Sequence, residues 1–224
     1  MPLIEIAAPL DPQPVADAWQ GLGGRGLVVF VSSNAVARFF AARPAGAAWP
    51  AALLAATPGP GTAESLRAAG VPAAAIVAPA ADARQHDSES LWRELRPHDW
   101  QGRSVLIVRG DGGRDWLVER LAEAGATVDA VAAYRRLAPQ LSVEERRHVD
   151  AAFAVPAQHG WLFSSSEAVD RLEALDGVAI ASGSRALATH PRIAARARQA
   201  GFAEVFEVQP GIDAVVACIQ SMQP

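Results

Sequence analysis

Four short polar turns carry the chemistry this chain could perform. Ser32-Ser33-Asn34, Pro60-Gly61-Thr62, Ser164-Ser165-Ser166 and His190-Pro191-Arg192 each follow an apolar run and precede a helical pattern. A helix start leaves backbone N–H groups unpaired and presents the positive end of the helix dipole, so such turns suit anions, carboxylates included. The same hydroxyl residues are also ordinary N-caps, and the two roles are compatible. Arg109 and Arg114 flank the turn Gly110-Asp111-Gly112-Gly113, where they could reach a ligand carboxylate or remain solvated; Arg192 presents the same choice. His190, placed before Pro191 at a strand end, reads as structural rather than as an acid. Tyr134 is the single tyrosine and Cys218 the single cysteine. On the residues alone, Tyr134 is a packed strand aromatic and Cys218 a small core residue.

Bulk properties narrow the classes of function. The net charge is −4, and all 20 basic residues are arginines scattered along the chain, a pattern that argues against a dedicated nucleic-acid binder. The absence of lysine excludes Schiff-base chemistry through that side chain. One cysteine cannot form an intrachain disulfide framework or a cysteine metal cluster. No apolar run approaches the roughly 18 residues of a membrane span, and no basic leader precedes an apolar segment, so the expectation is a cytoplasmic protein without membrane contact.

The turns are set in a repeat. Phe30-Val31-Ser32-Ser33-Asn34-Ala35-Val36 returns as Phe163-Ser164-Ser165-Ser166-Glu167-Ala168-Val169, and the segment 60–70 returns as 191–201. Two matches in the same order indicate a duplicated α/β domain and place the functional surface in a cleft between two similar halves. In the first half, strands are expected at 27–31, 53–56, 74–78, 105–108 and 128–134, with helices at 35–42, from Thr62 to Gly70, from about Ser88 to Leu95 with Ser88 as N-cap, and at 114–124. In the second half, strands at 161–163, 186–189 and 205–208 alternate with helices at 167–175, 193–200 and 212–220. Strands separated by helices imply parallel, doubly wound sheets, with ligands at the carboxyl ends of the strands. Pro9 and Pro12 break any pattern after the strand at 3–6. The second half therefore lacks a counterpart to the strand, helix and strand at 105–134.

With these motifs assembled, the chain resembles the uroporphyrinogen-III synthase family. The resemblance rests on the segments 30–36, 58–63, 87–91, 105–110, 128–136, 163–169 and 189–194 with Gly201-Phe202. It implies two similar doubly wound, flavodoxin-like parallel-sheet domains joined by a two-stranded linker: a first domain at 8–131, linker strands at 1–7 and 132–140, and a second domain at 141–224. Family members begin earlier, with a strand, helix and strand amounting to about thirty residues, so the second domain is expected to be incomplete.

The implied activity is cyclisation of hydroxymethylbilane, a linear tetrapyrrole, with inversion of ring D and loss of water, by a monomer that uses neither metal nor cofactor. Hydroxymethylbilane synthase is a possible transient partner. The resemblance places Tyr134 on the tyrosine proposed to assist departure of the hydroxymethyl oxygen. Thr62 matches a threonine facing the cleft and Ser164 a serine of the second domain. Arg192 stands where a small hydroxyl residue is common. Ser32, Ser33, Thr62, Ser164, Ser165, Ser166, Arg192 and Arg109 are thus the candidate substrate-binding residues. The rival reading from outside enzymology is a two-lobed binding or sensor protein for a small molecule.

Overall fold

The computed structural model describes residues 1–80, 82–83, 85–175, 180 and 183–222. The chain divides into two compact units, Ile6–Arg136 and Met1–Glu5 with Leu137–Pro224.

In the larger unit the elements run β1 (Glu5–Ala7), α1 (Gln13–Gln20), β2 (Leu27–Phe30), α2 (Ser33–Ala41), β3 (Leu54–Ala56), α3 (Pro60–Ala68), β4 (Ile76–Val77), α4 (Ser88–Leu95), β5 (Ser104–Gly110), α5 (Trp116–Glu123) and β6 (Thr127–Leu137). The sheet order is β1-β6-β5-β2-β3-β4, and every pairing from β6 through β4 is parallel. All four residues of β2 are buried, as a parallel strand covered on both faces requires. Alternate residues feed two cores. Val28, Phe30, Ala55, Leu106 and Val108 face α1, α2 and α3; Leu27, Val29, Ala56, Val105 and Ile107 face α4 and α5. The first face is aromatic: Trp19 stacks on Phe39 with centroids 4.9 Å apart, and Trp49 stacks on Phe40 at 5.9 Å. The buried indoles of Trp19, Trp49 and Trp100 donate to the carbonyls of Phe39, Leu53 and Leu95, so the polar edge of each ring is satisfied.

Several elements depart from expectation. Helix α1 stands where prolines were expected to break the pattern after the strand at 3–6. Pro12 is its N-cap and Pro14 lies in its first turn, where a missing N–H leaves no hydrogen bond unmade, and Val15, Ala18 and Trp19 are buried on it. The strand expected at 74–78 shrinks to Ile76–Val77, because Ala73–Ala75 close a 3-10 turn behind Pro72. The last strand of the first domain and the returning linker are one eleven-residue strand, β6. Asp87, and not Ser88, caps α4: its carboxylate accepts from the Ser90 N–H at 2.9 Å.

The smaller unit holds α6 (Val143–Ala154), β7 (Gly160–Phe163), α7 (Ser166–Glu173), β8 (Arg185–Ala188), α8 (Pro191–Gln199), β9 (Glu204–Glu207) and α9 (Ile212–Ser221). Its sheet is parallel, with three strands among the described residues in the order β7-β8-β9, wound in one direction. Phe163, Val169, Leu172, Ala186, Ala188, Ile193, Ala194, Ala197 and Phe202 form its core, together with Leu3. Phe153 on α6 stacks on Trp161 with centroids 5.1 Å apart. Helix α6 was not anticipated. It opens with a reciprocal cap in which the Ser142 hydroxyl accepts from the Glu145 N–H and the Glu145 carboxylate accepts from the Ser142 N–H.

Candidate active site

Strand order in the larger unit reverses once. From β2 the chain proceeds to β3 and β4 on one side, then returns to β5 and β6 on the other. Open α/β sheets bind ligands where the winding reverses, which here is at the carboxyl ends of β2 and β5. The residues that gather there are Ser32, Ser33, Thr62, Gly110, Tyr134 and Arg136.

Ser32 follows β2 with extended backbone and caps α2, its hydroxyl accepting from the Ala35 N–H at 3.2 Å. Tyr134 lies in β6 opposite Gly110 of β5, just past a shift in register between Arg109 and Gly110. A β-carbon at position 110 would fall 2.9 Å from Cε2 of Tyr134 and 3.0 Å from Cζ, so the ring packs where only glycine leaves room. The ring is buried, yet its oxygen has two polar neighbours: Ser32 Oγ at 3.1 Å and Arg136 Nη2, which donates at 2.9 Å. Residues 134 and 136 share one face of β6 by the period of two, and the Arg136 guanidinium lies 5.4 Å from the ring centroid. The turn after β5 is tied to the same strand. The Asp111 N–H donates to the Tyr134 carbonyl at 3.0 Å, and the Arg136 N–H donates to the Asp111 carboxylate at 3.3 Å.

The exposed Ser33 and buried Thr62 bring the starts of α2 and α3 together, with their hydroxyl oxygens 3.4 Å apart. Helix α3 is capped by Gly59, which provides no side chain, and neither α2 nor α3 has an acidic residue in its first turn. The pair of N-termini therefore presents N–H groups and dipole without a carboxylate of its own.

The arginines around the glycine turn have protein carboxylates within reach. Arg109 pairs with Asp115 at 2.6 Å, and Arg114 grips Glu89 with two hydrogen bonds of 2.7 and 3.2 Å. The Arg114 bond holds the Glu89 carboxyl below the ordinary carboxylate range, while Glu89 raises Arg114 in return. In the smaller unit, Ser165 caps α7 by accepting from the Glu167 N–H at 3.1 Å, the half-buried Ser166 is the first helical residue, and Ser164 is exposed between Phe163 and that cap. His190 caps α8, its Nδ1 accepting from the Arg192 N–H at 3.0 Å. Arg192 is exposed in the first turn. Cys218 is half-buried on α9.

Three members of the cluster were not singled out from sequence: Arg136, Asp111, and Gly110 as the space that admits the ring. The alternation Tyr134-Arg135-Arg136 on a strand was the available signal for Arg136. Among the described residues, no helix is long and apolar enough to cross a membrane.

Fold and cluster together define a two-unit parallel α/β protein that gathers a phenol, hydroxyls and a guanidinium where its larger sheet reverses. The family model for "Uroporphyrinogen-III synthase HemD" matches residues 1–217, and the chain belongs to the uroporphyrinogen-III synthase family. It is an enzyme of that class, acting in tetrapyrrole biosynthesis. Solved structures agree on the fold. A mutant uroporphyrinogen III synthase from the extreme thermophile Thermus thermophilus is 18% identical, with a TM-score of 0.64 over 99% of this chain and 87% of that one. Uroporphyrinogen-III synthetase from Helicobacter pylori is 15% identical, with a TM-score of 0.63 over 99% and 91%. The wild-type Thermus protein in a second crystal form is 21% identical, with a TM-score of 0.51 over 91% and 79%.

Proposed function

We propose that the cluster at the carboxyl ends of β2, β5 and β6 is where this enzyme converts hydroxymethylbilane to uroporphyrinogen III, with Tyr134 as the source of the proton that lets the hydroxymethyl oxygen leave as water. The observation that carries the reading is the buried phenol held between Ser32 and Arg136 at the winding reversal. The reaction asks little covalent chemistry of a protein. The pyrrole nitrogen pushes electrons toward the departing C–O bond, so the enzyme must supply a proton, exclude competing water and hold the chain for ring closure. The carboxylates of the substrate suit the starts of α2 and α3 through Ser33, Thr62 and the backbone, and the starts of α7 and α8 through Ser164, Ser165, Ser166 and Arg192. Arg109, engaged with Asp115, would take a carboxylate only by exchanging partners. The enzyme acts as a cytoplasmic monomer that meets hydroxymethylbilane synthase only in passing.

Freshly prepared hydroxymethylbilane, with chromatographic separation of the type III and type I products, tests the reading. Accumulation of type III above the spontaneous reaction is expected, and formation of type I alone would refute it. Tyr134→Phe should slow type III formation at least about tenfold, the low end of what losing a positioned proton donor costs. Its thermal melt should remain that of a folded protein.

A further inference from the structure

We infer that Ser32 is the group that hands the proton to the departing hydroxyl, with Tyr134 behind it as the source and Arg136 as the positioning residue that aims the phenol. This rests on the role proposed above for Tyr134 and adds the path by which its proton leaves.

The hydrogen-bonding capacities of the three side chains set the direction. Arginine has only donors, so the 2.9 Å contact runs from Arg136 to the phenol oxygen and cannot receive the phenol hydrogen. Tyr134 is 1% exposed, and a buried O–H needs an acceptor. Among the described residues, the acceptor within reach is Ser32 Oγ at 3.1 Å. Ser32 thus accepts from both the Tyr134 O–H and the Ala35 N–H, and its own hydrogen has to point elsewhere. Ser32 is half-buried at the carboxyl end of β2, whereas the phenol is enclosed. The serine is therefore the member of the chain that can touch a substrate.

The step balances without another reactant. The hydroxymethyl C–O bond breaks with its electron pair on oxygen, the Ser32 hydrogen moves to that oxygen, and water departs. Ser32 takes the Tyr134 hydrogen in the same event, leaving a phenolate beside the Arg136 guanidinium and a pyrrole-stabilised cation on the substrate. After ring closure, the proton lost from the substrate ring carbon returns through Ser32 to Tyr134.

The test uses the full chain, hydroxymethylbilane and the rate of type III formation. Glycine caps a helix nearly as well as serine, so Ser32→Gly removes the hydroxyl and spares the cap, while Ser32→Thr keeps both. Ser32→Gly should lower kcat at least about tenfold with KM within about threefold, and Ser32→Thr should restore most of the loss. The Ser32→Gly/Tyr134→Phe double variant should be no slower than the slower single variant, since groups in one relay fail together. If Ser32→Gly does not fold, Ser32→Asp replaces it, because a carboxylate caps a helix but has no proton to give near neutral pH. A slow Tyr134→Phe beside a Ser32→Gly variant of wild-type rate overturns the relay and leaves the tyrosine reading standing. Multiplying losses in the double variant also overturn it. Absence of type III from the wild-type chain would instead remove the underlying reading.

Discussion

Gly110→Ala separates the geometry of the tyrosine from its chemistry. The new methyl would lie 2.9 Å from Cε2 of Tyr134, whereas carbon atoms rest at about 3.5–4.0 Å, so the ring must retreat by at least about 0.6 Å. The phenol oxygen lies farther out along the same ring. Its 3.1 Å approach to Ser32 changes by up to about 0.6 Å, enough to spoil a hydrogen bond of that length. The backbone at position 110 is outside the left-handed region, so alanine meets no torsional penalty. Overpacking a fitted site costs about 1–3 kcal/mol, and the stiffer unfolded chain returns about 0.4–1 kcal/mol. A net loss near 1–2 kcal/mol lowers Tm by roughly 2–8 °C in a protein of this size. Type III formation should fall at least about tenfold, as for removal of the phenol itself. Calorimetry and the chromatographic assay read the two effects side by side. Gly112→Ala is the control, because a β-carbon there meets nothing within 4 Å. A Gly110→Ala protein with wild-type Tm and wild-type turnover would refute the claim that this glycine sets the phenol in place.

Three further outcomes follow from the packing. Asp87→Ala should cost about 0.5–2 kcal/mol in chemical denaturation through loss of the α4 cap, whereas Ser88→Ala should be close to neutral. Glu89→Gln should lower Tm at neutral pH. The folded Glu89 carboxyl is held below its ordinary 4.5, so its contribution is present above that pH and disappears as the pH falls through the folded value; the wild-type and variant melting curves should converge on acidification. Phe163→Ala, at a fully buried position, should cost about 3–5 kcal/mol. Hydrogen exchange should then accelerate across β7 and β8 while β2 keeps its protection.

The strand-turn-helix units were legible because β2 is covered on both faces and reads as an unbroken apolar run, and because Ser32 and Ser165 cap in the usual way. The same rules misled where one residue type serves two ends. Pro9 and Pro12 read as breakers although proline is at home at a helix start, where Pro12 caps α1, and Asp87 and Ser88 are both good caps, so that only backbone geometry chooses between them. Helix α6 escaped because it buries little besides Val149 and Ala152, although Ser142-Val143-Glu144-Glu145 displays the capping-box spacing. Tyr134 could be singled out by resemblance and Ser32 as a turn hydroxyl, but not their contact with each other or with Arg136. Their meeting depends on how β5 registers against β6, and the shift at Arg109 and Gly110 is a property of the pair rather than of either strand.

The stacking of Trp161 on Phe153 has an optical consequence. Of the six tryptophans, five lie in Ile6–Arg136, and Trp161 alone reports on the remainder. Replacing it with phenylalanine makes the intrinsic emission of the protein a record of the six-stranded unit by itself. The difference spectrum against the parent chain then follows the three-stranded unit, so the melting of each half can be watched in one cuvette without an extrinsic dye.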